Sequence, residues 1–167
     1  VFSPQVHISE RPHLPRALGS SPFDDDGVAT QDREVVEAGV LKGYFLSTYS
    51  ARKLGMRTTG NAGGSHNLIV RPGKRDLVGL AALMGRGLLV TEVLGQGVNY
   101  VTGDYSRGAS GYWVENGEIR HPVQEITIAG NLKDMLRGIV AVGNDVLVRG
   151  SKQVGSILLE RMTIAGA

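Results

Sequence analysis

Tyr112-Trp113-Val114-Glu115-Asn116-Gly117-Glu118-Ile119 reads as two strands joined by a two-residue turn. Asn-Gly tolerates positive φ at both central positions, as a type I′ hairpin requires. The aromatic and β-branched residues beside it favour pleated backbone. Outward from this hairpin, Leu88 to Leu94 (LLVTEVL) is long and apolar enough for a buried strand, and His121, just before Pro122, falls in a strand. Ile139 to Val142, the turn Gly143-Asn144-Asp145 and Val146 to Arg149 suggest a second hairpin. A further strand is expected near Gly155 to Leu159. Arg33 to Leu46 reads as two short strands around Ala38-Gly39, and Asn67 to Arg71 as another.

Helices are few and short. Ser47-Thr48 supplies an N-cap, Arg52 and Lys53 fall in the last turn, and Gly55 stops a helix over about Thr48 to Leu54. Asp76 caps a second, in which Leu77, Leu80, Ala81 and Met84 recur at one-face spacing before Gly85. A third begins at Asn131, with Asp134 in its first turn and Leu132, Met135 and Leu136 on one face. The expected fold class is therefore α+β, a predominantly antiparallel β-sheet with a few short helices rather than alternating βαβ units. Residues 1–27 hold four of the six prolines and end in Asp24-Asp25-Asp26-Gly27. They are expected to form an irregular arm, with residues 28–167 a single sheet-rich domain. The three consecutive aspartates lack the alternate spacing of an EF-hand loop, so a solvated Asx-type turn is expected. Ile126-Thr127-Ile128-Ala129-Gly130 recurs as Met162-Thr163-Ile164-Ala165-Gly166, which suggests two similar strand ends leading to glycine turns.

Composition bounds the chemistry. A chain of 167 residues suits one domain, two at most. The formal net charge is only +2, and the basic groups Arg71, Lys74, Arg75 and Arg149, Lys152 are small, so each reads as a solvated face rather than a nucleic-acid stripe. There is no cysteine, which removes disulfides, thiolate nucleophiles and Cys-containing zinc sites. No run reaches the ~18 apolar residues of a membrane span, and no secretory leader can be read. The start at Val1 is taken as that of a piece of a longer polypeptide.

Glycine is 24 of 167, about twice the usual share, and 14 of these fall between Gly55 and Gly117. Gly85-Arg86-Gly87 and Gly95-Gln96-Gly97 lack the third glycine of a dinucleotide fingerprint, so they read as tight turns and close strand packing. Asp104-Tyr105-Ser106-Arg107-Gly108 misses the nucleophile elbow by its first glycine. Asp104 or Arg107 is expected to make structural hydrogen bonds around a tight turn. None of the four histidines has the spacing of HExxH. His66 alone stands beside the Gly-rich loop Thr59–Ser65.

The stretches Leu46–Gly64 (LSTYSARKLGMRTTGNAGG) and Val90–Asp145 (VTEVLGQGVNYVTGDYSRGASGYWVENGEIRHPVQEITIAGNLKDMLRGIVAVGND) resemble the C-terminal part of the TldD/PmbA family of metallopeptidase-related proteins. Ser20–Gly27 (SSPFDDDG) and the closing TIAG share the resemblance. It implies a bacterial cytosolic protein and a TldD-like catalytic subunit that carries zinc on a helical HExxxH-type motif, upstream of its C-terminal domain. It also implies that this chain, which has no such motif, is the non-catalytic partner and holds no zinc itself. The expected substrates are unfolded peptides, in microcin maturation and antitoxin degradation, and the older description of a modulator of DNA gyrase follows from the microcin. The expected contribution here is to wall the chamber and hold an extended peptide or the partner, without membrane or direct nucleic-acid contact; homodimerisation of the piece is a further possibility. The residues to watch are Asn61, Gly63, Gly64 and His66 in one loop, and Asp104, Ser106 and Arg107 in the other. Two alternatives stand beside this: a hydrolase using Ser106 or a metal site at His66, and direct modulation of gyrase.

Overall fold

Strands dominate the computed structural model, which describes residues 1–166. The first third of the chain forms β1 (Ile8–Glu10), β2 (Arg33–Glu37), β3 (Val40–Leu41), helix α1 (Thr48–Lys53) and β4 (Leu68–Val70). The middle forms α2 (Leu77–Met84), β5 (Gly87–Leu94), β6 (Asp104–Glu115), β7 (Glu118–Asn131) and α3 (Leu132–Arg137). Then come β8 (Ile139–Val142), β9 (Leu147–Arg149), β10 (Lys152–Val154), β11 (Ile157–Leu159) and β12 (Thr163–Ala165). The fold is α+β and mostly antiparallel, as the sequence suggested.

Two units divide the chain. One is built from residues 1–3, 73–145 and 156–167, the other from 4–72 and 146–155. The second holds a six-stranded sheet in the order β3-β2-β1-β4-β10-β9, in which only β4 and β10 run parallel. Val6, Val35, Val36, Leu46 and Ala51 are its buried apolar residues. The β2–β3 turn puts Ala38 at φ 48° and Gly39 at φ 77°. Strand β1 lies at the heart of this sheet, between β2 and β4. This corrects the expectation of an irregular arm for Ile8–Glu10, where the chain alternates Val6, Ile8, Glu10 and pairs on both sides, while residues 11–27 hold no helix or strand, as expected.

The first unit is organised by the hairpin at Asn116-Gly117, whose φ values of 54° and 76° are those of the expected turn. Its strands are long, 12 residues in β6 and 14 in β7, and they form the centre of a four-stranded sheet ordered β12-β7-β6-β5. Ala109, Ile126 and Ile128 make its core, with Leu88, Val90, Tyr105, Val123 and Met162 packed against them. Pro122 sits inside β7 because β12 covers only Thr127–Ala129 of that strand's outer flank. The turn is seated on α2, where the Gly117 amide donates to the Gly85 carbonyl at 2.8 Å.

Two sequence expectations are corrected here. Strand β5 is an edge strand with β6 as its one neighbour, so only its first half is partly buried and Thr91 to Leu94 are exposed. The second hairpin does not form: β8 pairs with β11, and β9 with β10. Gly143-Asn144-Asp145 is held by distant groups instead. The Asn144 amide donates to the Arg75 carbonyl, and Asp145 accepts from the Ser156 amide at 3.0 Å and its hydroxyl at 2.6 Å. The repeated Ile/Met-Thr-Ile-Ala-Gly segments prove to be each other's partners, Ile164 facing Ile128 in antiparallel register, and Gly130 continues the strand rather than turning it.

Candidate functional site

The Gly-rich loop is organised by a carboxylate that the sequence reading passed over. Val6, Ile8 and Glu10 fall at alternate positions, so the strand turns Glu10 to the same face as a buried valine. Glu10 is 1% exposed. Its Oε2 accepts from Arg33 Nε at 2.7 Å. Its Oε1 accepts from Asn61 Nδ2 at 2.8 Å and the His66 amide at 2.8 Å, with His66 Nδ1 at 3.2 Å. Burial pushes the carboxyl up, but the His66 amide, the Arg33 guanidinium and the Asn61 amide together outweigh it and hold the group below its ordinary value.

Arg33 uses its remaining donors locally. Nη2 donates to Asn61 Oδ1 at 3.0 Å and Nη1 to the Tyr44 carbonyl at 2.8 Å, while the guanidinium lies 4.8 Å above the Phe45 ring. Asp24 does similar work beside it, accepting from the Asp26, Val28 and Ala62 amides at 2.9–3.0 Å. The expected Asx turn is therefore present, with Asp24 itself buried and Asp25, Asp26 and Gly27 exposed. Burial raises the Asp24 carboxyl, and the Ala62, Val28 and Asp26 amides bring it below the ordinary range. Gly63 has φ 88°, and a Cβ there would fall 2.2 Å from Asp25 Oδ2. Lys152, expected on a solvated face, reaches Ser65 Oγ at 2.7 Å and the His66 carbonyl at 3.3 Å.

This arrangement positions a loop. Each Glu10 oxygen is already engaged, so the carboxylate is no free base or ligand, and His66 faces it at 3.2 Å. Among the described residues no three His, Asp or Glu side chains gather as a metal ion would need, and the residues here do not fit the zinc implied for the family. Asn61 and His66 are thus brought together on Glu10, with Gly63 and Gly64 (φ 117°) shaping the turn between them.

Asp104, Ser106 and Arg107 lie in the other unit, within β6, and Asp104 makes the expected structural hydrogen bonds around a tight turn. The tight turn precedes them. Asp104 Oδ2 accepts from Thr102 Oγ1 at 2.7 Å, and Asn131 Nδ2 reaches Asp104 Oδ1 at 3.4 Å. The Ser106 amide donates to the Gly97 carbonyl at 2.7 Å, and a Cβ on Gly97 would overlap the Ser106 carbonyl at 1.7 Å. Arg107 Nε reaches the Leu94 carbonyl at 3.4 Å. The one histidine of this unit, His121, faces Trp113. At strand rise that is roughly 23 Å along β6 from Ser106, too far to activate the hydroxyl. Tyr100 and Val101, at the tip of the loop before β6, are strongly exposed and were not singled out by the sequence.

Comparison with known proteins places this geometry. Residues 1–166 match the family described as PmbA/TldA metallopeptidase C-terminal domain. A Haemophilus influenzae protein named Metalloprotease PmbA homolog is 61% identical over 95% of this chain and 36% of its own length. The Escherichia coli O157:H7 Metalloprotease PmbA is 55% identical over 95% of this chain and 35% of its own. A Buchnera Metalloprotease TldD homolog is 28% identical over 89% of this chain and 36% of its own. A Thermotoga maritima crystal structure, described as a proposed modulator of a DNA gyrase, superposes with a TM-score of 0.89 at 45% identity, over 98% of this chain and 40% of that one. The chain thus spans about a third of the length of the curated relatives it matches. Among the described residues no helix is long and apolar enough to cross a membrane.

Proposed function

We infer the role of this chain from the premise that it belongs to the PmbA/TldD metallopeptidase family, as its C-terminal domain. It acts in the PmbA (TldE) type of subunit, which pairs with a TldD-like zinc-bearing subunit in the cytoplasm. The pair trims unfolded peptides such as a microcin precursor or an antitoxin. One observation carries this reading: identity to the PmbA-named relatives is about double that to the TldD-named one. Strand β5, paired on one side only, gives an extended peptide an edge to add to through main-chain hydrogen bonds.

The test uses the full-length protein, its TldD-like partner from the same organism, and the two together. The expected outcome is well below one zinc per chain in the full-length protein alone, with cleavage of an unfolded peptide only when the partner is present. A stoichiometric zinc and cleavage by the protein alone would overturn the assignment. Direct modulation of gyrase is the alternative reading, and the weak clustering of basic residues argues against it. It requires the full-length protein to bind purified gyrase with an affinity that falls steeply with salt.

A further inference from the structure

Of the six asparagines in the chain, Asn116 alone is followed by glycine. Among the described residues it is also the one whose side chain makes no hydrogen bond. Asn61, Asn67, Asn99, Asn131 and Asn144 all spend their side-chain amides on other groups. Asn116 is exposed at the tip of the β6–β7 turn. An Asn-Gly pair carries its own reaction. The glycine nitrogen, once it loses its proton, attacks the asparagine Cγ, and no Cβ on the glycine hinders the approach. The new C–N bond closes a cyclic imide, and ammonia leaves with a proton taken back from solvent. Water then opens the imide at either carbonyl, leaving aspartate or isoaspartate, the latter with its backbone rerouted through the side-chain methylene.

In the fold that nitrogen is occupied. The Gly117 amide donates to the Gly85 carbonyl at 2.8 Å, and a Cβ on Gly117 would fall 2.8 Å from Ala82 Cα, so the turn rests directly on α2. An amide held in this way loses its proton only when the contact opens, the same condition that governs hydrogen exchange. The position of the Gly85 carbonyl depends on α2. Gly85 ends the helix at φ 67°, and its amide donates to the Ala81 carbonyl at 3.0 Å. Asp76 fixes the other end, its Oδ1 accepting from the Gly79 amide at 2.8 Å. Between these two ends Leu80 is the one buried residue. A helix with so small a buried face is held largely by its caps, and loosening a cap loosens the acceptor that covers Gly117.

We propose that Asn116-Gly117 is a gated deamidation site, closed while α2 is seated under the turn and reactive when that contact opens. Each reaction records an opening irreversibly. Isoaspartate adds one backbone atom to a two-residue turn whose length sets the pairing of Val114 with Ile119 and Glu115 with Glu118. Either product also places a third carboxylate between Glu115 and Glu118. The damage falls on the hairpin at the centre of the four-stranded sheet.

The test incubates purified full-length protein at mildly alkaline pH, folded and in urea, and follows the tryptic peptide Gly108–Arg120 by mass spectrometry. Conversion of the Asn116 side-chain amide to a carboxyl is expected to run about tenfold or more slower in the folded protein. Asp76→Ala removes the cap of α2 and touches neither reacting group. It is expected to speed conversion in the folded state by about fivefold, the factor a lost cap is worth. Hydrogen exchange at the Gly117 amide should rise by the same factor. Equal rates in folded and unfolded protein overturn the gate. So does an Asp76→Ala protein that exchanges Gly117 faster yet deamidates like wild type. Should Asp76→Ala not fold, wild type in graded urea below its unfolding transition decides instead. There deamidation is expected to rise in step with Gly117 exchange, and a rate that stays flat while exchange rises overturns the proposal.

Discussion

Glu10 is a carboxylate withdrawn from water whose whole acceptor capacity is used inside its own unit. Removing one member of such a buried pair leaves the other charged and unpartnered, which typically costs about 3–5 kcal/mol. Glu10→Ala is therefore expected to lower stability by that order, because Arg33 and the His66 amide both lose their acceptor. The pH dependence follows from the depressed carboxyls of Glu10, Asp24 and Asp145. A carboxyl lowered in the folded state contributes stability above its unfolded pKa, ordinarily 4.5 for Glu10, and that contribution is lost as pH falls through the folded value. Melting temperature followed downward from pH 7 should fall steeply below the ordinary carboxylate range in the wild type. The Glu10→Gln profile should start lower and run flatter through that window; two parallel profiles would show that Glu10 carries no such linkage. The loop residues Asn61, Gly63, Gly64 and His66 were legible because glycines and a histidine stand together. Glu10 was not, because its partners lie 23, 51 and 56 residues away. The one local sign was a glutamate on the face of Val6 and Ile8.

Strands show the same division between local and distant information. The Asn116-Gly117 turn was readable because its backbone demands those residue types. Gly143-Asn144-Asp145 offers similar residue types, yet Asp145 is spent on Ser156, so turn chemistry alone did not select the pairing. The glycines of β6 separate cleanly by what surrounds them. A Cβ on Gly111 would fall 1.9 Å from the Leu89 carbonyl, at the level where the β5–β6 register shifts. Backbone on two paired strands cannot yield cheaply, so Gly111→Ala is expected to destabilise by about 2–3 kcal/mol or more. At Gly108 the nearest atom is Leu94 Cβ at 3.4 Å. Gly108→Ala is expected to be neutral or to stabilise by about 0.5 kcal/mol, since glycine is the poorer residue inside a strand. Urea denaturation of the two variants decides this, and equal losses would mean that the glycines serve flexibility rather than close approach.

Chain order and unit membership part company in the whole molecule. Residues 4–72 supply four strands of the six-stranded sheet, but its last two, β10 and β9, arrive from residues 146–155. Strand β10 is parallel to β4, and such a pairing needs a long connection; here that connection is the whole segment 73–145 of the other unit. Without β10 and β9, β4 becomes a raw edge, and Lys152 no longer reaches Ser65 and the His66 carbonyl. A fragment of residues 1–72 is therefore expected not to fold cooperatively, although it contains Glu10, Arg33, Asn61 and His66. Joining residues 146–155 to it through a long flexible Gly/Ser linker should restore the missing sheet half at a modest loop-closure cost, because that cost grows only logarithmically with length. The check is thermal unfolding of both fragments by circular dichroism. A sigmoidal transition in the joined fragment and none in 1–72 is the expected pair of results. A cooperative transition in 1–72 alone would mean that β3-β2-β1-β4, with the Glu10 network, is already a sufficient folding unit and that β9 and β10 only cover its edge.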